Sequence, residues 1–146
     1  MTTFRFRLEK VLAWRHTQLE LEEAKYQQQT RVVAELDRQN AQWDAVKQGA
    51  EVQVRGWVPL LGGDLASLED FRSHVRAQKK QLTLRITEER RRLEAQQRAV
   101  LEARRQCELL ERLKQRRLEE WQAAANKEIE ELGAESYLSS ISRQRS

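Results

Sequence analysis

Apolar side chains recur every seven residues through the first third of the chain. Leu12, Leu19, Tyr26 and Val33 form one line that Asn40 continues. Three positions away, Leu8, Leu36 and Trp43 share a second line with Arg15, Glu22 and Gln29. The pattern returns later in the chain: Ile86, Leu93, Val100 and Cys107 repeat every seven residues, beside a companion line of Val75, Leu82, Ala103 and Leu110 interrupted by Glu89 and Gln96. Each stretch thus has one filled heptad line and one broken by polar residues. That spacing predicts two long α-helices meeting along a narrow seam. Glu-to-Arg spacings of four, such as Glu88/Arg92, Glu94/Arg98 and Glu108/Arg112, support the second helix.

Turn chemistry gathers in one place, the stretch GWVPLLGGDLAS from Gly56 to Ser67. It holds three of the five glycines and the only proline, Pro59. Ser67-x-x-Asp70 resembles a capping box, placing the second helix start near Ser67. Gly133 is the first stop signal beyond it. The expected organisation is a single coiled-coil domain with a helix over 4–54, a turn over 55–66, a helix over 67–136 and a flexible tail over 137–146. Helices of about 50 and 65 residues would measure roughly 75 and 100 Å. Folding back at the turn sets Leu12 near Leu110, Leu19 near Ala103 and Asn40 near Leu82. The first helix would then run out at Phe4, opposite Arg117. Trp121, Ile129, Leu132, Tyr137 and Leu138 would lie on an overhang without an intramolecular partner, a face that calls for a partner elsewhere. Trp57, Val58, Leu60 and Leu61 would plug the hairpin end or form an apolar knob, and Trp14 falls off the seam lines.

Composition agrees with an extended all-α molecule rather than a globule. Charged residues make up 34% of the 146 and apolar residues 39%, too few for a thick core and enough for a seam. The net charge of +4 is unevenly spread. From Arg72 to Arg117 there are 15 Lys or Arg against six Glu; from Leu118 to Ser146 there are three against six. A basic rod ending in an acidic segment suits nucleic acid, acidic membranes or acidic proteins as partners, and charge alone does not choose among them. The single cysteine, Cys107, excludes an intramolecular disulfide and fits a reducing compartment. With no long apolar run and no signal-peptide pattern, the expected location is the cytosol.

Catalytic chemistry is absent from the sequence. There is no phosphate-binding loop, dinucleotide fingerprint, nucleophile elbow or HExxH motif. His16 and His74 lie on different helices, expected opposite Arg105 and Lys47, which argues against a metal site. Cys107 continues a heptad line and reads as a core residue. A two-helix rod offers no pocket to hold reacting groups, so neither enzyme activity, cofactor nor small-molecule substrate is expected. The Arg90-Arg91-Arg92 run reads as a solvated face neutralised by Glu88, Glu89 and Glu94. No aromatic residue between Phe71 and Trp121 is available for base stacking, so nucleic acid is not an expected partner.

Three segments in order carry a family resemblance. FRFRLEKVLAWR, through Phe6, Leu8, Lys10, Val11, Leu12 and Arg15, resembles the opening of the FliJ family of flagellar type III export proteins. CELLERLKQRRLEEWQ resembles that family's second-helix block through Leu110, Leu113, Lys114, Arg116 and Arg117. NKEIEELGAESYL resembles its closing segment through Lys127, Glu131 and Leu132, with Glu130 where the family usually has Asp and a Ser-rich tail after it.

The resemblance implies a long antiparallel two-helix coiled-coil hairpin with an overhanging C-terminal helix, similar to the central stalk of rotary ATPases. It implies insertion into a hexameric flagellar export ATPase, contact with the cytoplasmic linker of the export-gate membrane protein, and escort of export chaperones, all at the cytoplasmic side of the inner-membrane export apparatus. On this reading Phe4-Arg5-Phe6-Arg7-Leu8 is the N-terminal end of the first helix. With Lys114, Arg116 and Arg117, Arg5 and Arg7 form a cationic tip for an acidic ring interior, joined by Trp121 and Ile129 as ring contacts. The gate-facing candidates are Trp43, Val46, Phe71 and Val75, with Leu36 and Leu82 nearby but better suited to the seam. Two other readings share the composition: the equivalent stalk of a virulence type III secretion system, and a basic coiled-coil scaffold or nucleic-acid-binding rod.

Overall fold

The structure, a computed structural model, describes residues 3–56 and 62–145. Two long helices pack against each other as a helical hairpin, and no strand occurs among the described residues. Helix α1 spans Glu9–Arg55 and helix α2 spans Gly62–Arg145. Both are built from Ala, Leu, Glu, Gln, Lys and Arg, which lose little side-chain freedom in a helix. Thr17, Thr30, Thr83 and Thr87, less favoured in helices, are accommodated by donating their hydroxyls to carbonyls four residues back, at 2.8–3.1 Å.

Contacts between paired helices are local, and they fall into two compact units: residues 20–101, and residues 1–19 with 102–146.

In the unit of residues 20–101, Val33, Leu36, Val54, Val75, Ile86 and Val100 are buried. Tyr26, Leu82 and Leu93 are half-buried beside them. The polar residues that interrupt the heptad lines meet across the seam. Gln29 Nε2 donates to the backbone carbonyl of Glu89 at 2.9 Å and to its Oε2 at 2.6 Å. Gln96 Nε2 does the same to Glu22, at 3.1 and 2.5 Å. At these two places the gap in one helix is filled by an amide or carboxylate of the other, so these polar groups keep partners. Salt bridges flank the seam: Arg72 Nε to Glu51 Oε1 at 3.3 Å, Arg90 Nη2 to Asp37 Oδ1 at 3.1 Å, and Lys79 to Asp44. These pairings run in opposite senses along the two helices, which makes the arrangement antiparallel. Asn40, in line with Val33, leaves its Oδ1 buried without a partner, a polar group of the kind that fixes register in coiled coils at some cost in stability.

In the unit of residues 1–19 and 102–146, Leu12 and Cys107 are buried, and Ala103, Leu110 and Leu113 are half-buried. His16 Nε2 lies 3.0 Å from Glu111 Oε1 and Lys114 Nζ 2.8 Å from Glu9 Oε2. His16 thus meets Glu111 rather than Arg105, and in the other unit His74 meets the Trp43 ring, edge-on at 5.8 Å, rather than Lys47.

Three helix boundaries differ from expectation. Helix α1 starts at Glu9, not at residue 4, because residues 3–6 have no regular structure and 7–8 form a turn. The Glu9 N–H donates to the Phe6 carbonyl at 3.2 Å, closing that turn just before the helix. Helix α2 starts at Gly62, five residues before Ser67, with Asp64 supplying negative charge in its first turn. It then continues through Gly133 to Arg145, so the segment expected as a flexible tail is helix. A glycine in a helix costs only about 1 kcal/mol relative to alanine. Ala134, Glu135 and Leu138 favour helix after it, and Arg143 and Arg145 in the last turn suit the negative end of the helix dipole. Trp57, Val58, Leu60 and Leu61, the expected plug or knob, lie outside the described residues.

Candidate partner-binding end

The segment before α1 alternates, and its burial follows the alternation. Phe4, Phe6 and Leu8 are half-buried, whereas Arg5 and Arg7 are exposed. The apolar set is therefore the covered one, with Phe4 against Trp121 of α2, and the arginines face solvent. Leaving the helix also frees the chain from the rise of about 1.5 Å per residue. Phe4 thereby arrives at Trp121, with ring centroids 6.0 Å apart and planes inclined at 53°.

This corrects two expectations. FRFRL is a non-helical strap rather than the tip of a helix, and Trp121 is half-buried with an intramolecular partner rather than lying bare on an overhang. Together the strap and α2 border a groove of about 1310 Å³ whose lining includes Phe4, Arg5, Phe6, Arg7, Arg117 and Trp121.

Four of the five expected tip cations are exposed. Arg5, Arg7 and Arg116 have no acidic partner among the described residues. Arg117 Nη1 lies 3.3 Å from Glu120 Oε2. Lys114 is half-buried and committed to Glu9. The end is cationic, but its free charge rests on the strap and on Arg116 rather than on all five side chains. Beyond Trp121, α2 exposes Ile129, Leu132, Tyr137 and Leu138.

The gate-facing candidates separate by burial. Val75 is fully buried and belongs to the seam, so it has no surface to offer a partner. Trp43 is half-buried against His74, and Phe71 is also half-buried. Val46 is half exposed and remains the accessible member of the set. Leu36 is buried and Leu82 half-buried, both in seam positions. Sequence reading overlooked Val54, which is buried two heptads beyond Asn40, so the signal for it was present in the same line.

The Arg90–Arg92 run is neutralised locally. Arg90 pairs with Asp37 at 3.1 Å, Arg91 with Glu88 at 2.7 Å, and Arg92 with Glu89 at 3.3 Å and Glu88 at 3.5 Å. Glu88 accepts from both Arg91 Nε and Nη2, and those hydrogen bonds hold its pKa below the ordinary carboxylate value. Glu35 is lowered in the same way, by hydrogen bonds from Arg38 and then Gln39. Trp14 is exposed, with the Arg15 guanidinium 4.8 Å from its ring centroid. Cys107 is buried on the seam, as its heptad position requires.

Among the described residues, no group of three or more His, Cys, Asp or Glu is placed to hold a metal ion, and no helix is long and apolar enough to cross a membrane. Comparison with family models, with characterised proteins and with solved structures gives no match for this chain.

Proposed function

We propose that this chain is a non-enzymatic stalk and adaptor of a bacterial flagellar type III export apparatus. It docks by its cationic end into the export ATPase ring and stimulates hydrolysis, working at the cytoplasmic side of the inner membrane. The ordered resemblance to the FliJ family motivates the reading. The observation that carries it is the end itself: Arg5 and Arg7, without acidic partners among the described residues, stand on a strap whose Phe4 meets Trp121, with Arg117 lining the same groove. A cluster of exposed cations with free hydrogen-bond donors suits an acidic ring interior through charge complementarity. The second attachment, to the cytoplasmic linker of the export gate, falls on the surface around Val46, with Trp43 and Phe71 contributing their exposed parts. Chaperone escort belongs to the same reading.

The experiment is a pull-down with the tagged full chain from nuclease-treated lysate of the source organism, with retained proteins identified by mass. Recovery of an export ATPase that is lost with Arg5→Glu/Arg7→Glu supports the proposal. Recovery of neither ATPase nor gate protein, with nucleic acid retained when nuclease is omitted, overturns it in favour of a basic rod. The pairing of Arg90, Arg91 and Arg92 with carboxylates argues against that second outcome.

A further inference from the structure

One face of α2 is left solvent-exposed and has an unusual internal symmetry. From Arg105 to Ile141, positions spaced four and three residues apart trace a straight line, ten turns at about 3.6 residues per turn. Apart from Ile141 at its end, the side chains on this line are exposed, including Leu109 and Tyr137 at 50% and 67%. About Ala123 the line relates opposite charges at two pairs of positions and apolar residues at a third, while Arg112 falls opposite Ala134 and Arg105 opposite Ile141. Seven residues before Ala123 stands Arg116 and seven after it Glu130; four before stands Glu119 and four after Lys127; fourteen before stands Leu109 and fourteen after Tyr137.

We infer that this face pairs with the same face of a second copy, as an antiparallel dimer whose two-fold axis passes Ala123. A two-fold interface is self-complementary: residue i meets j, and j meets i. Laid antiparallel about Ala123, the line places Arg116 against the partner's Glu130, Glu119 against the partner's Lys127 and Leu109 against the partner's Tyr137, each twice. At the axis two alanines face each other, which lets the helices approach closely. No like-charged pair arises along the line. Arg116, Lys127 and Glu130 have no ion-pair partner among the described residues, and Glu119 has only an exposed hydrogen bond from Gln115 at 3.2 Å to exchange. Exposed ion pairs are individually weak, and the dimer is therefore a salt-sensitive one in the micromolar range or above. Arg116 also belongs to the proposed ring-facing end, so a dimerised chain and a ring-docked chain exclude each other.

Sedimentation equilibrium of the full chain alone tests this without any ring partner. At low salt and rising concentration the mass should climb from 17.3 kDa toward twice that value, and high salt should reverse it. Arg116→Glu sets Glu against Glu130 at two symmetric places and should weaken association about tenfold or more. Glu130→Arg should do the same by setting Arg against Arg116. Mixing the two single variants should restore a dimer, since each chain then supplies the charge the other lacks, and the double swap Arg116→Glu/Glu130→Arg should restore it within one chain. Circular dichroism confirms that each variant keeps its helices. A wild-type chain that stays monomeric to high concentration overturns the inference. So does a dimer indifferent to both single swaps, which would place association on another surface.

Discussion

Phe4 and Trp121 face each other with their ring centroids 6.0 Å apart, although 116 residues separate them in the chain and neither lies on a heptad line shared with the other. The contact exists because the chain before Glu9 is not helical, with no regular structure at residues 4–6 and a turn at 7–8. It turns an end that would otherwise be two unequal helix tips into an anchored strap with its arginines outward.

Removing the anchor should free the strap. Phe4→Ala is expected to cost about 1 kcal/mol, the size of an aromatic pair, while leaving helicity nearly unchanged because the strap is not helical. Limited trypsin digestion should then cut after Arg5 and Arg7 faster than in the parent. Unchanged cleavage would mean that the strap is held by something other than this ring contact.

The seam should be far less tolerant than the surface. Leu36, only 2% exposed, should lose about 2–5 kcal/mol on substitution by Ala. Val46, half exposed, should change by about 0.5 kcal/mol or less. Urea unfolding of both variants gives the comparison. Equal losses would contradict the assignment of Val46 to an accessible surface.

The Gln29–Glu89 pair predicts an asymmetry. Gln29→Leu alone strips a half-buried carboxylate of its amide donor and should destabilise by about 1–3 kcal/mol. Gln29→Leu with Glu89→Leu leaves neither group unpaired and should be neutral or stabilising. A double variant weaker than the single one would show that the pair contributes more than its own desolvation.

Acid should loosen the helices through their surface carboxylates. Glu35 and Glu88 have pKa values lowered from 4.5 by hydrogen bonds from arginine. A carboxylate lowered in the folded state adds stability that is fully present above its unfolded pKa and is lost as pH falls through the folded value. Thermal midpoints measured by circular dichroism should therefore fall below about pH 4.5, and less steeply in Glu35→Gln/Glu88→Gln. Both sites are exposed, so added salt should flatten the dependence.

Much of this architecture is legible in the sequence, for a physical reason. A seam between two helices is a one-dimensional pattern, so lines such as Ile86–Leu93–Val100–Cys107 identify their own faces. The polar breaks at Glu22, Gln29, Glu89 and Gln96 look like flaws when each helix is read alone. They become complementary only when the register between helices is known, which a single line does not contain. The strap escaped for another reason: its alternation was visible, but helix-forming neighbours from Glu9 onward outweighed it. Gly133 misled in the opposite sense, since one unfavourable residue does not end a helix that good formers continue. At the candidate site, Arg5, Arg7 and Arg116 were legible as charge, whereas the commitment of Lys114 to Glu9 and the burial of Val75 depended on packing.

The most direct test of the central reading is the rate of ATP hydrolysis by the purified export ATPase of the source organism, titrated with the full chain and with Arg5→Glu/Arg7→Glu. Saturable stimulation by the parent chain, lost or shifted to at least about tenfold higher concentration in the charge-reversed variant, is the expected result. Hydrolysis unaffected by the parent chain at any concentration, with the chain folded, would contradict the account.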